Sequence, residues 1–122
     1  VSRKVAWITS VSSQNKSWGT EKSWTCPGQT YNKILIIKKG HRTRLKRYKT
    51  KSESFYLVSG KLSVSYGDEK AVSSSDLKVG ILNENQVLSV PSMCPYSIEA
   101  LEDSIVIETS DRTGSSFELL KD

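Results

Sequence analysis

Three side chains able to do chemistry stand close together in this 122-residue chain: Lys46, Tyr48 and Glu53. Residues i and i+2 of a strand face the same way. An extended segment through position 47 therefore turns Lys46 and Tyr48 to one side, and a hairpin partner carrying Glu53 sets a carboxylate beside them. Three convergent side chains inside a barrel are an arrangement suited to a divalent metal. Here they are an ammonium, a phenol and a carboxylate. A protonated amine has no lone pair to donate, and a phenol must first lose a proton with an ordinary pKa of about 10. Zn, Fe, Mn and Ni normally take imidazole and carboxylate donors in such sites, so Glu53 alone is a conventional ligand. The single histidine, His41, directly follows Gly40 and is expected as an exposed turn residue.

The elements that must position these residues read as short strands separated by turn signals. Residues 31–38, with Ile34-Leu-Ile-Ile37 at their centre, form a strand broken at Lys39-Gly40. Residues 44–50 are extended. Residues 55–58 and 61–66 are expected as a hairpin turning at Ser59-Gly60, with Leu62, Val64 and Tyr66 on the buried face. Residues 71–76 form a serine-rich excursion and Asn83-Glu-Asn-Gln86 a turn. Residues 87–90 make a strand stopped by Pro91, and 96–100 and 104–109 complete the set across a turn at Glu102-Asp103. Residues 1–30 are expected as an N-terminal strand (5–9) and an arm anchored by Trp18 and Trp24. The barrel then spans 31–110 and a tail 111–122, with a last turn near 117–120. Many short strands without a long amphipathic helix argue for one all-β domain, a sandwich or barrel.

The net charge is +5, with much of the excess between Lys38 and Lys51. Such a cluster attracts a phosphosugar, a nucleotide or a nucleic-acid backbone; equally, lysines on an edge strand oppose sheet-to-sheet aggregation. No nucleic-acid motif accompanies it, and Tyr48 and Tyr56 are too irregularly placed for a stacking platform. Cys26 and Cys94 are too few for a disulfide framework and are expected as free thiols. No apolar run is long enough to span a bilayer and the first residues lack a signal-peptide pattern, so the chain is expected to be soluble and cytoplasmic. Asn15-Lys-Ser17 is a glycosylation sequon by pattern only.

The spacing Gly40, Lys46, Tyr48, Glu53, Gly60 resembles the first motif of the cupins, in which a glycine precedes two metal ligands two apart, a glutamate, and a glycine seven residues on. The second cupin motif has a proline followed five residues later by a histidine; here Pro91 is followed by Tyr96. Lys16-Ser-Trp-Gly19, Lys33-Ile-Leu-Ile-Ile-Lys-Lys-Gly40, Ser52-Glu53 through Gly60-Lys61, and Asn83-Glu-Asn-Gln86 before Pro91 are similar to the small cupins related to type II mannose-6-phosphate isomerases, over residues 16–110. The resemblance implies a jelly-roll β-barrel of two antiparallel sheets, and a homodimer with Ile34–Ile37 or the N-terminal arm in contact. It places the metal-holding positions on Lys46, Tyr48, Glu53 and Tyr96, of which only Glu53 keeps its ligand type. The family's acidic-aromatic-Gly-Arg ending is absent.

No metal or other cofactor is therefore expected. Lys46 is expected to supply the positive charge, with Glu53 as its ion-pair partner and Tyr48 and Tyr96 completing the hydrogen bonds. Arg44, Lys46, Tyr48, Glu53 and Tyr96 are the candidate ligand-binding residues for a small sugar or anion, and Glu53, Tyr48 and Tyr96 the candidates for proton transfer without a metal. Three readings stay open: a filled barrel interior, a binding site without chemistry, and a metal-free sugar-phosphate isomerase. Non-catalytic binding is preferred, since fold does not fix function.

Overall fold

The computed structural model describes residues 4–28, 30–111 and 116–121. Among the described residues, eleven strands form two antiparallel sheets packed face to face. The first sheet has the order β1 (Ser12–Lys16), β2 (Gly19–Thr25), β3 (Tyr31–Ile37), β10 (Ser104–Ser110), β5 (Glu53–Ser59), β8 (Val87–Val90). The second has the order β11 (Phe117–Leu119), β4 (Lys46–Tyr48), β9 (Tyr96–Ala100), β6 (Leu62–Tyr66), β7 (Lys78–Leu82). This is the expected all-β jelly roll. Among the described residues no helix is long and apolar enough to cross a membrane.

Alternation along the strands builds the core. Phe55 and Leu57 of β5, Leu88 and Val90 of β8 and Val106 of β10 meet Leu62 and Val64 of β6, and Ile98 and Ala100 of β9, across the sandwich. Leu57 and Leu62 are fully buried, at 0% exposure, which marks the centre of this layer.

Several local expectations are corrected. Residues 55–58 and 61–66 are not a hairpin: β5 pairs with β10 and β8, and β6 with β7 and β9. The turn at Gly60 carries the chain from one sheet to the other. Gly60 has φ +102°, and a Cβ there would lie 2.3 Å from Ser104 Oγ and 2.6 Å from the Asp103 carbonyl oxygen, so the crossing needs both the left-handed backbone and the missing side chain. The expected N-terminal arm is built on two strands, β1 and β2. Their hairpin extends the sheet from β3, with Ser12 opposite Ser23 and Lys16 opposite Gly19; β1 is exposed throughout and so lacks the apolar alternation by which strands are recognised. Residues 5–9 form no strand, and Val5, Trp7 and Ile8 are exposed.

β7 had no sequence assignment, because Val79 and Ile81 point outward, 72% and 50% exposed. The expected turn at 117–120 is instead β11, paired to β4. Cys26 and Cys94 are free thiols; Cys26 Sγ accepts a hydrogen bond from Asn32 Nδ2 at 2.9 Å.

Gly60→Ala is expected to destabilise the fold by about 1–3 kcal/mol, the usual cost of a strained backbone position, or more where the clash cannot relax. Gly40→Ala has the same sign of φ but nothing within 4 Å of the new Cβ, and should cost less. Urea unfolding midpoints of the two variants check the order.

Candidate functional site

β4 supplies the first half of the site. Lys46 and Tyr48 face a cavity between the sheets, as their spacing dictates. Arg47, between them, turns the other way and is buried. Its guanidinium donates to the carbonyls of Glu69 (2.8 Å), Met93 (3.2 Å) and Ala71, and its Nε lies 3.6 Å from Glu118 Oε1 on β11. That last contact is an ion pair without a hydrogen bond. Arg47 thus anchors β4 to the 69–71 and 93 segments and to Glu118, and does not line the cavity. Lys46 lies directly opposite Tyr96 in the β4–β9 pairing.

The opposite sheet supplies the carboxylates. Glu53 begins β5, and Glu108 on β10 is opposite Phe55 on one side and Lys33 on the other, so the two glutamates are diagonal neighbours on one face. The expected Lys46–Glu53 ion pair is corrected: the partner is Lys51, whose Nζ lies 3.4 Å from Glu53 Oε2. The Tyr96 hydroxyl donates to Glu53 Oε1 at 2.6 Å. Both oxygens of a buried carboxylate are thereby engaged, as desolvation requires.

Lys51 Nζ sits 3.9 Å from the centre of the Tyr48 ring, a close cation–π approach. Lys46 Nζ is farther out, 5.3 Å from the Tyr96 ring and 5.9 Å from that of Tyr48. Among the described residues no carboxylate lies within ion-pair distance of Lys46. The third cavity lysine, Lys33, pairs with Glu21 at 3.4 Å.

These surroundings move the titrations. Burial lowers the Lys46 pKa; Glu53 and Glu108 oppose this, and Lys51 adds to it. Burial, and then the charges of Glu53 and Glu108, push Tyr48 up to about 12. Tyr96 is raised further by burial and by the charge and hydrogen bond of Glu53. Glu108 is raised to about 7, first by burial and then by the charge of Glu53, with Lys33 and Lys51 opposing. A carboxylic acid beside an ionised carboxylate keeps its proton because two adjacent negative charges are costly.

Lys46, Tyr48, Glu53 and Tyr96 therefore line one cavity, of about 130 Å³. Arg44 is exposed and lies outside its lining. Sequence reasoning missed Lys33, Lys51 and Glu108. The period of β10 held the signal for the last, since Val106 inside puts Glu108 inside. His41 is also corrected: it is half-buried, lines the cavity and stacks on Trp18 at 5.3 Å and 19°. Burial lowers its pKa.

No family model and no curated protein matches this chain. Solved structures do. A CapF structure with the inhibitor 3-isopropenyl-tropolone aligns over 95% of this chain and 36% of its own, at TM-score 0.77 and 17% identity. CapF of Staphylococcus aureus, described as a capsular polysaccharide assembling protein, aligns over 94% and 34%, at TM-score 0.71 and 17% identity. Oxalate decarboxylase of Bacillus subtilis aligns over 90% and 30%, at TM-score 0.72 and 21% identity. The chain spans about a third of the length of these proteins. At such identities the likeness is one of fold, and the fold is the cupin jelly roll.

The oxalate decarboxylase has Mn(II) centres. The side chains here do not fit such an ion. Among the described residues no three His, Cys, Asp or Glu side chains converge. Both phenols hold their protons more tightly than free tyrosine, and Lys51 Nζ already sits 3.4 Å from Glu53 Oε2, with Lys46 lining the same cavity.

Glu108 gives a signed pH dependence. Between the ordinary carboxylate pKa of 4.5 and about 7, the folded protein keeps a proton that the unfolded chain has released. Its contribution to stability therefore falls as pH rises through that window. His41 acts oppositely: its lowered pKa removes stability as pH falls below the ordinary histidine value. Glu108→Gln removes the first effect and keeps the second. The melting temperature of the variant, relative to wild type, should climb from about pH 5 to about pH 8; a constant difference would show that Glu108 titrates normally.

Proposed function

We propose that this chain is a cupin-fold binding module in which lysine charge has replaced a lost metal site, and that its cavity takes a small anionic ligand. Lys46 carries the reading. Lys33 and Lys51 have carboxylate partners; Lys46 lines the cavity without one within ion-pair distance among the described residues. Partial desolvation of an ammonium is costly unless a counter-ion completes it. Tyr48, protonated up to about 12, remains a hydroxyl donor for the same ligand.

The size of the cavity narrows the class. Its volume of about 130 Å³ is below the roughly 300–1,000 Å³ of ordinary small-molecule pockets. That supports a short carboxylate or an inorganic oxyanion over a hexose phosphate. The name of one structural neighbour, oxalate decarboxylase, points to a ligand of similar scale in the same fold.

Malonate is expected to raise the melting temperature, and a ligand at about 100 times its Kd stabilises by roughly 2.7 kcal/mol. Lys46→Gln should remove the shift while mannose 6-phosphate gives none. Stabilisation by the sugar phosphate alone, or unchanged malonate binding in Lys46→Gln, overturns the reading. A second reading, metal-free sugar-phosphate isomerisation, is favoured by the acid–base poise of Glu108. It requires turnover in the same samples that chelators leave intact and Glu108→Gln abolishes.

Loss of a metal site is tested by restoring one. Lys46→Gln, Tyr48→His and Tyr96→His together supply imidazoles around Glu53 in place of one ammonium and two phenols. Zinc titration should then show stoichiometric binding absent from wild type; no gain would mean that these positions do not converge as a metal cage.

A further inference from the structure

We propose that Lys46 captures small carbonyl compounds, 2-oxo acids above all, as a reversible Schiff base. The proposal deepens the reading of the cavity as a small-anion site and rests on it for the choice of a carboxylate-bearing partner.

The three cavity lysines are not equivalent. Lys33 pairs with Glu21 and Lys51 with Glu53, both at 3.4 Å. Lys46 presents its amine to the cavity between the Tyr48 and Tyr96 rings, with no carboxylate at ion-pair distance among the described residues. An amine that is desolvated, and has a second cation nearby, is the form of lysine that attacks carbonyl groups near neutral pH. Burial and Lys51 both lower its pKa, while Glu53 and Glu108 oppose them. The opposite wall of the same cavity carries a proton donor, since Glu108 on β10 remains an acid up to about 7.

The chemistry balances without an oxidant or a cofactor. The Lys46 ammonium gives one proton to solvent. Its nitrogen lone pair then forms the N–C bond as the carbonyl π bond breaks, and a proton moves from nitrogen to the resulting oxygen to give a carbinolamine. Glu108 donates a proton to that hydroxyl, the C–O bond breaks, and water leaves. The product is an iminium and a Glu108 carboxylate. Addition of water reverses every step. For a 2-oxo acid, the ligand carboxylate remains intact and is placed among the cavity cations.

The test uses the full chain with pyruvate and cyanoborohydride, which delivers hydride to the iminium carbon and fixes the adduct as a secondary amine. Peptide mapping of the wild type should find the adduct concentrated at Lys46. Excess malonate should suppress it, Lys46→Arg should lose it, and Lys49→Arg, altered on an exposed lysine, should retain it. Labelling of Lys46 no greater than that of exposed Lys49 and Lys61 overturns the proposal, and this comparison within the wild type does not depend on any variant folding. Thermal shifts with malonate and pyruvate run alongside. Stabilisation by both without a Lys46 adduct sinks covalent capture and leaves anion binding standing. A Lys46 adduct with glycolaldehyde, but no shift with either anion, sinks the anion reading and leaves covalent capture standing.

Discussion

The hydrogen bond from Tyr96 to Glu53, 2.6 Å long and buried between the sheets, is the contact on which the site depends. Tyr96 belongs to one sheet and Glu53 to the other, so the bond fixes the spacing of the layers where the cavity opens. Lys51 sits 3.4 Å from the second oxygen, and the negative charge of the carboxylate faces the cavity. That charge then determines its neighbours: it helps Glu108 keep a proton, Tyr48 keep its phenol, and Lys46 keep some of the positive charge that burial opposes. A buried ion pair of this kind contributes more to a defined geometry than to stability, because desolvation offsets much of its Coulomb attraction.

How much of this was legible in the sequence depended on the range of the interaction. Lys46 and Tyr48 share a face because strand geometry is local, and the segments at 87–90 and 96–100 match β8 and β9 end for end. The partner of Glu53 was not legible. Lys51 and Lys46 are both close to Glu53 in sequence, and only the path from β4 through the 49–52 segment decides which ammonium arrives. The supposed hairpin at Gly60 failed for a related reason. A glycine between two apolar strands signals a reversal, but whether the second strand returns to the same sheet is set by the competition of β8, β10, β7 and β9 for the open edges. Strand β1 was invisible because its pairing with β2 is all it has; it buries no face that could leave a period.

The basic cluster shows how composition misleads. From Lys38 to Lys51 it reads as one positive patch, yet the structure divides it by function. Lys38, Lys39, Arg42, Arg44 and Lys49 are at the surface. Arg47 is consumed by backbone carbonyls, a use for which its fork of donors is suited. Lys46 and Lys51 turn inward. Of the lysines and arginines in the cluster only this last pair lines the cavity, and a single-residue alternation along β4 separates Arg47 from it.

The proposed exchange of a metal for lysine charge would alter what the cavity can do. A divalent ion concentrates two charges at a point and leaves open coordination positions for a substrate. Two ammonium groups on separate stems spread the charge, and neither accepts a lone pair. Under the proposed exchange Lewis-acid activation would be absent from these side chains, while a different capacity would be gained: a metal cannot act as a nucleophile through carbon–nitrogen bond formation, and an amine can. Lys51 is excluded from that role by its pairing with Glu53. If the motif resemblance places Lys46 at a metal-ligand position, as proposed, that is the position where the replacement of an ion by an amine would change the class of chemistry as well as its strength.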